Sequence, residues 1–272
     1  MDFTNQTVLI TGAARGIGRV TAQQFAAAGA RVALHYRGHQ DEAEATFNEL
    51  AGSGHLLLQA DLTTAGAAEK LMADTVAGFG KLDVLVNNAA VYYDHPLFDS
   101  TFDEWRENFR SMFDINLFAV SDLCYWAAQQ MKQQSGGQSG GQSGGQSGGQ
   151  SGGQSRGKIV NVSSRGAFRG EPTAPAYGAS KAALNQLSQS LAQYLAPHNI
   201  RVHVVAPGFV DTERVAYKVA GDIGEGIRKQ SPFNRVATAD EVARTILFLA
   251  SDGIDFLSGG IVDINGASYL RS

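Results

Sequence analysis

The chain of 272 residues is 43% hydrophobic and 18% charged, enough to build one large globular domain around a continuous core. A net charge of −4 without any Lys/Arg cluster excludes nucleic acid as the main partner, because neutralising phosphates takes a basic face. Cys124 stands alone, the Met1-Asp2-Phe3-Thr4 start has no basic n-region, and no apolar run reaches a membrane span, so a soluble cytoplasmic protein without disulfides is expected.

Apolar Thr7–Ile10 reads as a first strand that runs into Thr11-Gly12-Ala13-Ala14-Arg15-Gly16-Ile17-Gly18. Residues 19–28 follow as an Ala-rich helix closed by Gly29. Further strands are expected at 31–34, 55–59, 82–86, 158–162, 200–205 and 260–264, with helices between most of them, notably 102–132 and 179–195. Strands alternating with helices predict an α/β, single-domain, Rossmann-type doubly wound parallel sheet of about seven strands, with helices on both faces. Five copies of Ser-Gly-Gly-Gln from Ser135 to Gln154 interrupt this pattern and hold 10 of the 32 glycines. Such a tract cannot bury apolar surface, so 135–155 is expected to be a flexible insertion within the domain. Because it precedes a strand, it should lie at the sheet edge opposite the ligand.

The turn after the first strand has the spacing G-x-x-x-G-x-G. Gly12, Gly16 and Gly18 allow a tight turn, close approach of backbone to a pyrophosphate, and close packing of helix on strand. At the end of the second strand, where an acid would hold a ribose 2′-hydroxyl, stands Leu34-His35-Tyr36-Arg37. Arg15 and Arg37 suit a 2′-phosphate clamp instead; otherwise both are simply solvated. The expected cofactor is NADP(H), with NAD(H) the less favoured alternative.

Tyr177-Gly178-Ala179-Ser180-Lys181 enters a helix, and a four-residue spacing puts Tyr177 and Lys181 on one face. A nearby ammonium favours the phenolate; moving a tyrosine from pKa ~10 to ~7 corresponds to roughly 4 kcal/mol. Ser164, closing the strand in Val162-Ser163-Ser164, has a hydroxyl able to hold the same substrate oxygen.

Together these residues resemble the classical short-chain dehydrogenase/reductase family, including its 3-oxoacyl-[acyl-carrier-protein] reductases. The likeness runs from T-G-A-A-R-G-I-G at 11–18 through N-N-A-A at 87–90, Asn116, V-N-V-S-S at 160–164 and Y-G-A-S-K at 177–181 to A-P-G-F-V-D-T at 206–212. It covers nearly the whole chain outside the repeats. By that resemblance Tyr177 is the acid/base, Lys181 holds the nicotinamide ribose and lowers the tyrosine pKa, and Ser164, rather than Ser163, orients the substrate oxygen. Asn116 completes a water relay to Lys181. Gly12, Arg15, Gly16, Ile17 and Gly18 form the phosphate turn. Asp61, beside Leu62, contacts adenine, and Asn88 and Ala89 flank the adenosine. Pro207, Gly208, Val210 and Thr212 meet the carboxamide end. For Asp61 and Thr212 a helix N-cap is an equal reading.

Two departures from the family pattern, Ala90 for a glycine and Asn265-Gly266-Ala267 where D-G-G is frequent, are expected to be tolerated. Substrate choice is assigned to loops 91–98, 165–176 and 210–236, the last a candidate lid with Gly221, Gly224 and Gly226. His95 is expected to be a surface or loop residue, and the aromatics of 102–113 to be core or interface. Arg169 and Arg235 are candidates for receiving an acidic carrier. No metal is expected, and a homotetramer is implied. The predicted activity is NADP(H)-dependent interconversion of a small or medium ketone or aldehyde and its alcohol. A 3-oxoacyl-carrier-protein reductase and a non-catalytic nucleotide sensor or scaffold are the alternatives.

Overall fold

The computed structural model describes residues 1–134, 157–213, 215 and 221–271. Seven parallel strands lie in the order β3-β2-β1-β4-β5-β6-β9. They are β1 Thr7–Ile10, β2 Arg31–Tyr36, β3 Leu56–Gln59, β4 Val84–Asn87, β5 Gly157–Val162, β6 Ile200–Pro207 and β9 Ile261–Ile264. The helices are α1 Gly16–Ala27, α2 Gln40–Asn48, α3 Ala67–Phe79, α4 Phe102–Phe113, α5 Ala119–Gln133, α6 Pro175–Leu195, α7 Gly221–Arg228 and α8 Ala239–Leu249. Two short parallel strands, β7 Val210–Asp211 and β8 Ala237–Thr238, form a separate ladder.

Alternate strand residues feed two cores, as the period of two requires. Val8, Ile10, Val32, Leu34, Val84 and Val86 meet one cluster with Phe25 of α1 and Ile246 of α8. Leu9, Ala33, Leu85 and Ile159 point the other way, toward Leu71 of α3, Leu123 of α5 and Leu184 of α6. The doubly wound expectation therefore holds. No described helix is long and apolar enough to cross a membrane.

The expected element boundaries shift at informative places. The first helix begins at Gly16, not 19, so the last glycines of the turn are already helical. The helix that carries Tyr177 and Lys181 begins at Pro175 rather than 179; proline at the first helical position lacks only an N–H that would go unpaired there. The single helix expected over 102–132 is three pieces, because a π-helical turn at Asp114–Phe118 separates α4 from α5. A π turn inserts one extra residue per turn and re-aims side chains, a device common at functional sites. Thr101 and Thr238 start α4 and α8 with full capping boxes through Glu104 and Glu241.

The Ser-Gly-Gly-Gln repeats lie outside the described residues. Their flanks do not: Gln134 exchanges two hydrogen bonds with the backbone of Leu82 just before β4, and Gly157 opens β5. Both sit at the N-terminal edge of the sheet, away from the crevice at its C-terminal edge, where the connections leaving β1 and β4 run in opposite directions.

The Asn265-Gly266-Ala267 departure has a visible cost. Gly266 and Ala267 both take φ of +57°, and an alanine there brings its Cβ against its own carbonyl. Ala267→Gly is expected to raise the unfolding free energy by about 0.5–1 kcal/mol, net of the freedom glycine adds to the unfolded chain. Urea denaturation at constant m-value measures it, and an unchanged or lower midpoint refutes it.

Candidate active site

The C-terminal ends of β1, β2, β4, β5 and β6 open onto one cleft of about 570 Å³. At its centre lies the glycine turn. Gly12 and Gly16 take φ of +64° and +57°, and a Cβ on Gly12 would come within 2.9 Å of the Ala89 Cα. Gly18 is not a lining residue; a side chain there would overlap the Gly12 carbonyl and meet Asn88 Nδ2 at 2.6 Å. Its missing side chain thus lets α1 pack on the turn. The amide of Asn88 donates to the carbonyls of Thr11 (2.9 Å) and Gly12 (3.0 Å), and the backbone N–H groups of Asn88 and Ala89 donate to Thr11 Oγ1 at 3.0 Å. Arg15, the α1 N-cap, offers no side-chain acceptor, and no acid lies in the first turn. The helix N-terminus is left for an anion. A pyrophosphate fits this cradle.

His35 escaped the sequence reading. Its Nδ1 accepts from the Gly12 N–H at 3.2 Å, so Nε2 carries the proton and donates to the Ala60 carbonyl at 3.1 Å. Burial pushes its pKa down to about 4, against the opposing Ala60 bond and Asp61. A neutral imidazole thus pins the glycine turn to the loop after β3. The only sequence signal is a polar residue inside an apolar strand.

Arg15, Arg37, Gly38 and His39 line one end of the cleft, with Leu62 beside them. Glu42 lies 4.0 Å from Arg15 and 3.7 Å from His39. Asp61 is exposed and spends Oδ1 on the backbone and hydroxyl of Thr63, bonds that hold its carboxyl below the usual range. It does not line the cleft as its neighbours Ala60 and Leu62 do. The N-cap reading of Asp61 is corrected: α3 starts behind Gly66, and Asp61 makes a local turn. For Thr212 that reading falls against residues 214 and 216–220, outside those described, while its side chain packs at 3.4 Å from the Cβ position of Gly16.

At the other end stand Ser164, Tyr177 and Lys181, with Ile17, Pro207, Gly208, Val210 and Thr212 also on the cleft wall. Lys181 is buried, donates Nζ to the Val162 carbonyl at 2.8 Å and lies 5.9 Å from the centre of the Tyr177 ring. Ser164, two residues past β5, caps a short 3-10 turn and accepts the Gly166 N–H at 3.0 Å, leaving its O–H to a ligand. Ser163 instead turns its hydroxyl to the Lys181 carbonyl, 3.3 Å away. Tyr92 packs edge-on against Tyr177 at 5.0 Å. The π turn buries Asn116, whose Oδ1 accepts the Val91 N–H and whose Nδ2 donates to the Val91 carbonyl and to Ser180 Oγ. It ties the 89–93 loop to α6, one residue before Lys181.

Other expectations change. His95 is a loop residue but buried: Nδ1 bonds the Tyr93 carbonyl, and Trp105 and Phe109 pack edge-on against the ring. Arg235 forms a two-bond pair with Glu241 at 2.8 and 2.6 Å yet stays exposed, so a carrier would have to compete with that surface pair. Cys124 is buried against Asn87 and Asn161, its thiol pushed up to about 12. Among the described residues no group of His, Cys, Asp or Glu could hold a metal.

Comparison with known proteins agrees with this geometry. The family model described as short chain dehydrogenase matches residues 6–139, and that described as Enoyl-(Acyl carrier protein) reductase matches 150–266. The 3-oxoacyl-[acyl-carrier-protein] reductase FabG of Staphylococcus epidermidis is 31% identical over 98% of this chain and 100% of its own. The Escherichia coli protein of that name is 31% identical over 99% and 100%. Among solved structures, a dehydrogenase/reductase from Sinorhizobium meliloti superposes with a TM-score of 0.83 at 28% identity, covering 99% of this chain and 97% of that one. A short chain dehydrogenase from Burkholderia cenocepacia in complex with NADP gives 0.81 at 28% identity, over 98% and 99%.

Proposed function

The chain belongs to the short-chain dehydrogenase/reductase family and is an oxidoreductase of nicotinamide dinucleotides, and we propose that it is an NADP(H)-dependent reductase of small or medium ketones and aldehydes. The observation that carries this reading is one cleft holding Arg15 and Arg37 at one end, the glycine turn at its centre, and Ser164, Tyr177 and Lys181 at the other end. The nicotinamide supplies or accepts hydride at the substrate carbon when bound. Ser164, its acceptor side already used by Gly166, donates to the substrate oxygen. Tyr177 gives that oxygen a proton in reduction and takes it back in oxidation. The Lys181 ammonium lowers the cost of the phenolate that remains. Asn116 acts through the backbone it holds, positioning the cleft wall and α6.

The preference for NADP(H) rests on Arg15 and Arg37, on the absence of an acid at the end of β2, and on the NADP named in the Burkholderia neighbour's title. Charge-assisted hydrogen bonds contribute about 1.5–3 kcal/mol each, so kcat/KM with NADPH should exceed that with NADH by at least about tenfold. Arg37→Ser should remove most of this advantage. NADH oxidation as efficient as NADPH oxidation sinks the assignment. The reductase reading itself is tested at 340 nm against 3-oxoacyl thioesters, ketoses, quinones and diketones.

A 3-oxoacyl-[acyl-carrier-protein] reductase is the second reading, favoured by the relatives' names. Exposed Phe102, Phe118 and Tyr125 on α4, the π turn and α5, and Phe256 near the C-terminus, support a homotetramer. A monomer in light scattering contradicts that. The buried, inert Cys124 suits the cytoplasm.

A further inference from the structure

Arg165 follows Ser164 directly and lines the cleft, yet it is only 5% exposed. Its Nη1 donates to Gln230 Oε1 at 2.9 Å and to Ser268 Oγ at 2.7 Å. The guanidinium sits 5.3 Å from the centre of the Phe209 ring, another wall of the cleft. Every one of these partners is neutral. The Gln230 oxygen is shared with a second cation, because Arg169 Nη1 donates to it at 2.9 Å. Burial and then Arg169 push the Arg165 pKa down, and only Glu171 opposes them.

A charge taken out of water and bonded only to neutral oxygens recovers little of its desolvation cost. With Arg169 and Lys181, three cations gather near Glu171, while the other lining acid, Glu213, is paired with Arg19. Arg165 also keeps two nitrogens in reserve: Nε and Nη2 make no hydrogen bond among the described residues. That edge of a guanidinium matches the two oxygens of a carboxylate. Neither the glycine turn nor the Ser164, Tyr177 and Lys181 chemistry needs a cation here.

We propose that Arg165 determines specificity by pairing with a carboxylate on the substrate, so that this oxidoreductase reduces oxo acids, or oxidises the matching hydroxy acids, in preference to neutral carbonyl compounds. The inference rests on the reductase reading above and names the substrate class for the same site. Position in the chain supports it. Ser164, which would hold the carbonyl oxygen, and Arg165, which would hold the carboxylate, are adjacent at the end of β5. A substrate carrying both groups a few carbons apart would be fixed at two points, which orients the carbonyl for attack.

The test uses 2-oxobutanoate, 3-oxobutanoate and 4-oxopentanoate, each beside its methyl ester, with NADPH and the full-length protein. At least one acid should exceed its ester by tenfold or more in kcat/KM, chiefly through KM. Arg165→Met should bring that ratio to about one, and Arg165→Lys should keep an intermediate ratio. The proposal is overturned if the wild type favours no acid over its ester. It is also overturned if Arg165→Met lowers acid and ester by the same factor, since Arg165 then only staples the end of β5 to the Gln230 and Ser268 segments. The wild-type ratio decides even where Arg165→Met fails to fold. Reduction of other ketones with all six probes inert overturns the proposal and leaves the reductase standing. If no carbonyl compound is reduced with either coenzyme, the reductase reading fails instead. Titration of bound NADPH fluorescence with the same acids then decides: Arg165-dependent binding supports the carboxylate site, and no binding overturns it.

Discussion

Tyr177→Phe should lower kcat by about 10²–10⁴-fold while leaving the dissociation constant for NADP(H) within about threefold. The magnitude is that of a positioned general acid–base group. The geometry says why the two readouts separate. The glycine turn, the α1 N-terminus, Arg15 and Arg37 belong to the β1–α1 and β2–α2 segments, whereas Tyr177 stands on α6, its ring packed against Tyr92 and 5.9 Å from Lys181 Nζ. Removing one oxygen from the ring leaves that packing in place. It takes away the only phenol on α6 beside the lysine. Lys181 Nζ is anchored on the Val162 carbonyl, so the ammonium stays where a phenolate would need it.

The same variant separates an enzyme from a nucleotide sensor or scaffold built on this fold. A pure binder could use Lys181 to hold a ribose, but it has no use for a tyrosine placed beside that ammonium, which favours the phenolate. Unchanged turnover in Tyr177→Phe would remove the acid/base assignment. Tight NADP(H) binding with no turnover by the wild type on any carbonyl panel would favour the sensor.

How far the sequence could be read follows from which features have a local cause. The seven strands are short apolar runs between helix-period segments, and their order follows from right-handed crossovers around β1 and β4. The glycine turn and the Tyr177–Lys181 spacing are local too, and the fold brings them to one cleft. The π turn has no local signature: one extra residue slips the apolar pattern by about 100°, and a single such slip between two short helices looks like ordinary irregularity. Yet that turn is what buries Asn116 against Val91 and Ser180. Strands β7 and β8 have two residues each, too few for any alternation to show. The roles of His95 and Arg235 hang on partners distant or unforeseen, Thr173 and Ala176 in one case and Glu241 in the other. Charge alone could not tell a free arginine from one already paired.

His35 leads to the second large effect, on stability against pH. Its folded pKa of about 4 lies below the 6.5 of an unfolded histidine, so the folded state resists a proton that the unfolded state takes up. The stabilisation is complete above pH 6.5 and is lost as pH falls toward 4, at about 1.4 kcal/mol per pH unit, or about 3 kcal/mol in all. His203 behaves alike, also held near 4 by burial, and Nε2 there is buried without a hydrogen-bond partner. Two such groups would cost about 6–7 kcal/mol, comparable to the whole stability of many domains. Cooperative unfolding is therefore expected as the pH approaches 4–5. His35→Asn isolates one share, since an amide oxygen can still accept the Gly12 N–H but takes no proton in this range. Chemical denaturation at pH 7 and pH 4.5 should show the wild type losing about 2–3 kcal/mol more than His35→Asn. Parallel losses in the two proteins would disprove the assignment. NADP(H) binding should weaken over the same window in the wild type, because a protonated Nδ1 would face the Gly12 N–H donor to donor and loosen the turn proposed to receive the pyrophosphate.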